Sequence, residues 1–133
     1  MEKALAPDHA TLVRTYIEAV GERRLEDVAE CLHQDLAFDG PGLESLRGAN
    51  AYLSALRRLS PIIARNEVRH IYVDEVGACV LYDFVTETPV GPVASVERLT
   101  IEDGRIRSIW LLFDKGRWPE VVERLEELAS EGG

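Results

Sequence analysis

Residues 96–114 read VERLTIEDGRIRSIWLLFD, and this stretch has the pattern of two strands joined by a tight turn. Asp103-Gly104 is the turn signal, and β-branched and aromatic residues lie on both sides of it. Alternate side chains of an extended chain share a face, so Glu97 lies on the same side as Leu99 and Ile101. The pattern therefore places a carboxylate on a face that its neighbours mark as core.

The length of the turn decides which residue lies opposite Glu97. A two-residue loop pairs Glu97 with Trp110, whereas a three-residue loop that ends in a left-handed Gly104 pairs it with Ile109. Both partners are apolar, and an ionised carboxylate among apolar neighbours is unfavourable unless it is paired. We therefore expect Glu97 to have a hydrogen-bonding partner or a raised pKa. The alternative is a glutamate that reaches water or an arginine at the rim of the sheet.

The rest of the chain separates into a helical part and a strand part. Apolar residues at helical spacing predict helices over about 9–20, 24–33, 48–59 and 119–128, the first of them capped by Asp8. Alternating and β-branched runs predict strands over about 35–39, 64–75, 77–88, 92–102 and 105–114. Because helices precede strands without βαβ alternation, we expect an α+β fold in which helices cover one face of a curved antiparallel sheet.

Several predicted strands are apolar on both faces. In the strand over 77–88, Cys79 and Leu81 alternate with Val80 and Tyr82. A single layer of short helices cannot bury both faces of such a sheet. We therefore expect the second face to contact another copy of the chain, which makes the protein a homodimer.

The composition limits the kinds of partner. The 133 residues fit a single domain over 1–133, and 24 acidic against 15 basic residues give a net charge of −9. This charge opposes binding to nucleic acid or to an anionic membrane surface. No apolar run is long enough to span a membrane and the N-terminus lacks a secretory pattern, so we expect a cytoplasmic protein. Cys31 and Cys79 are predicted to be reduced core thiols.

Four further side chains are candidates for chemistry. Tyr16 lies on the apolar face of the first helix, where its hydroxyl needs a partner unless it reaches the surface. Asp39 precedes a Gly-Pro-Gly turn, a position typical of a cavity mouth and also of a turn former. His70 either lines a cavity or is structural, and Asp83 faces either the cavity or the dimer contact. The histidines and cysteines show no metal-ligand spacing and no nucleotide motif occurs, so neither a metal nor a cofactor is expected.

The order of elements and two strings resemble the nuclear transport factor 2-like superfamily, the cone-shaped, cystatin-like α+β domains that include ketosteroid isomerases and SnoaL-like polyketide cyclases. The strings are RTYIEAVGERRLEDVAECLHQDLAFDGPG at 14–42 and VERLTIEDGRIRSIWLLFD at 96–114, and the resemblance covers about residues 8–118. It implies a mostly apolar pocket between the helices and the concave face of the sheet, and a homodimer through the opposite face.

The resemblance also implies roles for single residues. Tyr16 falls where ketosteroid isomerases keep their oxyanion-hole tyrosine, and Glu97 falls where they keep a protonated aspartic acid. The place of their catalytic base falls on Gly40, with Asp39 one residue early, so that only a bulge would turn Asp39 into the pocket. Limonene epoxide hydrolases need an arginine and an aspartate where this chain has Ser95 and Leu111. We do not expect their chemistry here.

Three functions are compatible with these residues. The first is a cofactor-free enzyme that stabilises an enolate or similar oxyanion of a small apolar carbonyl compound. Tyr16 and neutral Glu97 would donate hydrogen bonds, and Asp39, or else His70 or Asp83, would move the proton. The second is a non-catalytic pocket that binds or carries a small hydrophobic molecule, and the third is a structural dimerisation domain without a cavity. The predicted substrate-binding side chains are His70, Tyr82, Phe84, Trp110 and Phe113.

Overall fold

The structure is a computed structural model that describes residues 8–132. Its helices are α1 (His9–Gly21), α2 (Leu25–Cys31), α3 (Ala49–Leu59) and α4 (Trp118–Gly132), with a 3₁₀ turn at Ser60–Ile62 after α3. Its strands are β1 (Leu32–Asp39), β2 (Leu46–Arg47), β3 (Ile63–Val73), β4 (Gly77–Thr86), β5 (Pro92–Glu102) and β6 (Arg105–Phe113). The six strands form one sheet in the order β2-β1-β6-β5-β4-β3. The predicted α+β class and the succession of its long strands are confirmed.

Strand β1 departs from the predicted pattern in two ways. It runs parallel to β6, while the other strand pairs are antiparallel. It also begins at Leu32, although the second helix was expected to continue to about residue 33. Leu32 continues the helical spacing of α2, but it is the first buried residue of β1. The apolar pattern at this junction therefore fits both elements, and packing against β6 decides between them.

The hairpin of β5 and β6 has a two-residue turn. Glu102 pairs with Arg105, and Asp103 and Gly104 have φ angles of 55° and 73°. Both values lie in the left-handed region that a twisted two-residue hairpin requires. Of the two loop lengths that the sequence left open, the structure therefore shows the two-residue one.

A bulge in this hairpin changes the register expected for Glu97. The pairing shifts by one residue after Thr100, so Glu97 lies opposite Leu111 rather than Trp110 or Ile109. Both predicted partners were wrong for the same reason. The bulge adds one residue to the hairpin, and nothing in the sequence of the turn indicates it. A bulge of this kind bends the strand and increases its twist.

Helix α1 packs across the concave face of the sheet. Asp8 caps it as predicted, because the side chain of Asp8 accepts a hydrogen bond from the Thr11 amide at 2.7 Å. Gly21 ends the helix against β3, so closely that a Cβ atom there would lie 2.5 Å from the backbone nitrogen of Asn66. The Asn66 side-chain amide in turn donates to the carbonyl of Ile17 at 3.0 Å. These contacts hold the helix and its buried side chains at a fixed height over the sheet.

The opposite face of the sheet carries apolar side chains that remain exposed. Tyr72, Trp110 and Leu112 are 56%, 43% and 42% exposed. Helix α4 covers a different region, where Val121 is buried against Ile62 and its neighbours. Within residues 8–132 no helix is long and apolar enough to cross a membrane.

Candidate functional site

A cavity of about 190 Å³ lies between α3, the end of α1 and the concave face of the sheet. Its wall is formed mostly by aliphatic and aromatic side chains, including the predicted Tyr82, Phe84 and Phe113. A dry cavity of about 150 Å³ can hold benzene, so this one has room for a molecule of one or two fused rings. The cavity contradicts one element of the third hypothesis, the absence of space beside Glu97.

Glu97 forms the polar end of this cavity. It is only 5% exposed, and it lies on the wall together with Tyr52 and Tyr82. The hydroxyl of Tyr82 donates to Oε2 of Glu97, and the hydroxyl of Tyr16 donates to Oε1 at 3.0 Å. The Tyr16 and Tyr52 hydroxyls are also hydrogen-bonded to each other. Three phenols and one carboxyl therefore form a single buried network.

Burial governs the ionisation of this network. Removal from water raises the pKa of Glu97, and the hydrogen bonds from Tyr82 and Tyr16 only partly oppose that effect. Burial, followed by the charge of Glu97, raises the pKa of Tyr16, Tyr52 and Tyr82 well above the ordinary value. The phenols are therefore neutral at physiological pH. Glu97 is the group of the network that gains or loses a proton most easily.

The number of protons in the network decides whether it can donate a hydrogen bond to a ligand. When Glu97 is ionised, Tyr16 and Tyr82 both donate to it, and Tyr52 must donate to Tyr16 because the proton of Tyr16 is already used. All three phenol protons are then directed inward, and the cavity meets only acceptors. A protonated Glu97 adds a fourth proton to the same three contacts. One O–H group is then free to donate to a ligand.

Tyr16 differs in position from the role that the resemblance implies. Its side chain is fully buried and it is not part of the cavity wall. It stands behind Glu97 and Tyr52 and contacts both of them. Tyr52 and Tyr82 line the cavity instead, so Tyr16 acts on a ligand only through them or through Glu97.

Asp39 lies outside the cavity, contrary to the hypothesis that it moves a proton there. Its carboxylate accepts hydrogen bonds from Ser45 at 2.6 Å and Arg47 at 3.3 Å, which lower its pKa, with Ser45 as the larger cause. The irregularity of β1 lies earlier, between residues 32 and 37, and the pairing is regular from there to Asp39. Phe38 therefore faces the cavity and Asp39 faces away from it.

Gly40 falls where the resemblance places the catalytic base of ketosteroid isomerases, and the structure leaves no room for a side chain there. A Cβ atom on Gly40 would lie 2.2 Å from the backbone carbonyl oxygen of Leu111. Real Cβ atoms do not approach other atoms so closely. No side chain fits at residue 40 while β1 and β6 keep their present distance.

His70 and Trp110 also lie outside the predicted pocket wall. A bulge in β3 between Val68 and His70 turns His70 to the exposed face. The centroids of the His70 and Tyr72 rings are 4.1 Å apart there. The bulge in the β5–β6 hairpin places Leu111 on the wall and leaves Trp110 on the other face. In both strands one inserted residue reverses the face that alternation predicts.

Asp83 faces the outside of the sheet as well. Its carboxylate forms an ion pair with Arg69 at 2.5 Å, and its side chain is 13% exposed. Of the two positions predicted for it, the structure shows the outer face. It cannot exchange a proton with a molecule in the cavity.

Sequence patterns missed several residues of the wall. Tyr52 lies on the apolar face of α3, and its phenol needs a partner for the same reason as that of Tyr16. Asn66 and Trp118 also line the cavity, and the ring centroids of Trp118 and Phe113 are 4.9 Å apart. The signal for Asn66 is a polar residue in line with Val68 on an otherwise apolar strand face.

One group of side chains in the described part of the chain could hold a cation. It consists of His33, Glu102 and Asp103, outside the cavity. Nδ1 of His33 already accepts the Asp35 amide proton at 3.0 Å, and Glu102 is paired with Arg107. In a neutral histidine the other nitrogen then carries the proton and cannot bind a metal. We assign no metal to this group.

The family model of the SnoaL-like domain matches residues 13–109. The match covers most of the chain, so the protein belongs to the SnoaL-like family of nuclear transport factor 2-like domains. Among curated proteins, none is similar enough in sequence to be matched.

Solved structures with low sequence identity share the fold. An NTF2-like protein of unknown function from Cytophaga hutchinsonii is 19% identical, with a TM-score of 0.73 over 85% of this chain and 96% of the other. A candidate ketosteroid isomerase from Kribbella flavida is 21% identical, with a TM-score of 0.71 over 78% and 76%. An LEH-like epoxide hydrolase from M. tuberculosis is 18% identical, with a TM-score of 0.70 over 91% and 94%. These identities establish a common fold and no common reaction.

Proposed function

We propose that the protein binds a small, mostly apolar molecule and holds its polar group against Glu97. The observation that carries the proposal is the buried carboxyl on the cavity wall, with the Tyr82 hydroxyl directed at it. The remaining wall is almost entirely apolar and supports an apolar framework. The net charge of −9 further favours a neutral ligand over an anionic one.

The protonation of Glu97 selects the group that the ligand presents. With Glu97 neutral, the network has one free O–H donor and binds a carbonyl oxygen. With Glu97 ionised, this donor is lost. We therefore expect a ketone or aldehyde to bind the neutral form. Affinity is highest below the folded pKa of Glu97 and falls by up to about tenfold per pH unit above it.

A second candidate function is proton transfer on the bound carbonyl compound, as in an isomerase or cyclase. It is favoured by the burial of Glu97 on the cavity wall, which raises the pKa of this carboxyl above its ordinary value and makes it a better proton acceptor than a free carboxylate. Among the described residues of the wall, Glu97 is the single carboxyl. The same group would have to remove the proton and return it, because Asp39 lies outside and residue 40 has no side chain.

Acetylnaphthalene is a suitable probe because it has two fused rings and one carbonyl group. We expect it to bind the wild type more tightly at low pH, as measured by calorimetry. Glu97→Gln is the matched variant, since its amide cannot ionise and its NH₂ group donates hydrogen bonds at every pH. Its affinity should equal that of the wild type at low pH and exceed it at high pH. No binding at any pH, or the same pH profile in both proteins, would rule out the proposed function.

The same samples in deuterium oxide separate binding from catalysis. Proton transfer by Glu97 exchanges the methyl protons of the ketone for deuterium faster than buffer does, and Glu97→Gln abolishes the excess rate. Binding without excess exchange identifies the first function. Proton NMR of the methyl signal measures this rate directly.

We also propose that the exposed face of the sheet joins two copies of the chain. Trp110 and Leu112 lie side by side with Val96 on this face, and the ion pair of Arg69 and Asp83 borders it. Exposed apolar side chains grouped in this way are typical of an interface.

Leu112→Arg tests the dimer, because it introduces a charge at the centre of that face. We expect light scattering to give the mass of two chains for the wild type and of one chain for Leu112→Arg. Val122→Arg is the matched control, since Val122 is a comparably exposed residue on α4, at 37%. It should leave the dimer intact. A wild type that has the mass of one chain at micromolar concentration would contradict the proposal.

A further inference from the structure

Three aromatic side chains cluster on one part of the cavity wall. Phe84 of β4, Phe113 of β6 and Trp118 of α4 all line the cavity. The centroid of the Trp118 ring lies 4.9 Å from that of Phe113 and 6.3 Å from that of Phe84. Both distances are those of packed aromatic pairs. Together the three side chains form what we call the aromatic end of the cavity.

The aromatic end and Glu97 lie at opposite ends of the cavity. In β4, Phe84 lies four residues beyond the partner of Glu97, and with an ordinary strand rise the two positions are about 13 Å apart. Helix α3 gives a second measure. Its Tyr52 belongs to the hydrogen-bonded network, and Leu59, seven residues later, packs on the same buried cluster as Trp118. Seven residues of an α-helix span about 10 Å.

Trp118 forms the outer wall of the cavity at its aromatic end. It is the first residue of α4 and is half-buried, with part of its surface on the cavity and part exposed. The next turn anchors the helix, because Val121 is fully buried against Ile62 and Ile63. The backbone amide of Trp118 also donates to the Lys115 carbonyl at 3.1 Å. These contacts fix the start of α4, and with it the indole, across the end of the cavity.

We propose that Trp118 closes this end of the cavity and limits the ligand to flat aromatic ketones of at most two linearly fused rings. The carbonyl oxygen of such a ketone lies at Glu97, and its distal ring packs among the three rings of the aromatic end. A third ring in line would overlap the indole, and a packed wall does not admit extra atoms without displacement. The inference rests on the proposed function and adds the length and the aromatic character of the ligand.

Two isomers of acetylanthracene test the limit on length. In 2-acetylanthracene the third ring extends the molecule away from its carbonyl group, whereas in 9-acetylanthracene the outer rings extend to either side of it. In the wild type, calorimetry should show 2-acetylanthracene binding about tenfold more weakly than 2-acetylnaphthalene. In Trp118→Ala we expect 2-acetylanthracene to bind about tenfold more tightly than in the wild type, while the affinity for 9-acetylanthracene stays within about twofold.

The second isomer separates the loss of the indole from a general loosening of α4. If Trp118→Ala only loosened the helix, both isomers would gain affinity equally, and that result would overturn the inference. A wild type that binds 2-acetylanthracene as tightly as 2-acetylnaphthalene would overturn it as well. Val122→Ala is the matched control, since it removes an exposed apolar side chain of the same helix. It should leave all three affinities unchanged.

A measurement without this substitution covers the case in which Trp118→Ala does not fold. Trp110 and Trp118 are the chain's two tryptophans, so labelling with fluorotryptophan gives two fluorine signals, which Trp110→Phe assigns. Binding of 2-acetylnaphthalene should shift the Trp118 signal, and acetophenone, which lacks the second ring, should leave it in place. No shift with bound 2-acetylnaphthalene, or an equal shift with acetophenone, overturns the inference. Failure of 2-acetylnaphthalene to bind at any pH contradicts the proposed function itself, so the two failures are distinguishable.

Discussion

Replacing Glu97 by alanine lowers the free energy of unfolding by about 2–3 kcal/mol, because the buried hydroxyl of Tyr82 loses the carboxylate that accepts its hydrogen bond. Tyr16 and Tyr82 both donate to this carboxyl, but Tyr16 can donate to Tyr52 once the carboxyl is removed. Each unpaired hydroxyl costs about 1–3 kcal/mol, and the removed atoms leave a small void. Urea unfolding at a fixed pH measures the change.

Glu97→Gln is the matched control, because it keeps the shape of the side chain and one acceptor. It also removes the ionisable group, and stability should then depend less on pH. Burial raises the pKa of folded Glu97 above its unfolded value of about 4.3. The stability that the protonated carboxyl contributes is fully present below the unfolded pKa and is lost as pH rises through the folded pKa.

The wild type should therefore lose stability relative to Glu97→Gln as pH rises across that window. Above the folded pKa the difference becomes constant. Urea unfolding at a series of pH values gives the slope directly. A wild type that gains stability relative to Glu97→Gln over this range would show that the folded protein favours the ionised carboxylate.

Gly40→Ala lowers the free energy of unfolding by about 2–4 kcal/mol. The new Cβ atom would lie 2.2 Å from the carbonyl oxygen of Leu111. The Cβ atom is fixed to the backbone of residue 40, so neither atom can move unless its backbone moves. Gly40 does not have a positive φ angle, so steric overlap alone produces the effect. Thermal or urea unfolding detects a change of this size.

Gly116→Ala is the control for this substitution. Its Cβ atom would meet only a side-chain oxygen of Asp114, at 3.2 Å, and a shift of a few tenths of an ångström relieves that contact. We expect a change within about 0.5 kcal/mol, as for most surface substitutions. An equal loss in both variants would contradict the close contact at Gly40.

Gly40→Asp extends the same prediction to function. It places a carboxyl where ketosteroid isomerases keep their base, yet it should destabilise the protein at least as much as Gly40→Ala. We expect no faster deuterium exchange of acetylnaphthalene than in the wild type. Faster exchange would show that β1 can move to admit a base beside the cavity.

The sequence allowed much of the fold to be predicted because the relevant signals are local. The period of apolar residues distinguishes α1 and α3 from the strands β3–β6, and Asp103-Gly104 specifies the turn of the last hairpin. Alternation along β5 also places Glu97 correctly, since no bulge lies between it and Leu99. Its burial follows from the same pattern.

The site could be predicted only in part because two inserted residues and several distant contacts decide it. Bulges in β3 and in the last hairpin turn His70 and Trp110 to the outer face, and no local pattern indicates where an extra residue is accommodated. The partners of Glu97 come from other elements, and Tyr16 is 81 residues away from it. Their contacts depend on how the helices pack on the sheet.

Charge and periodicity are properties of neighbouring residues, so they were enough to predict an acidic α+β chain with a carboxyl on the core face of β5. The folded chain was needed to show that three phenols share one network with this carboxyl and that Gly40 leaves no room for a base. Hydrogen bonds and steric contacts of this kind join residues far apart in the chain, and a single bulge reverses the face on which each one lies.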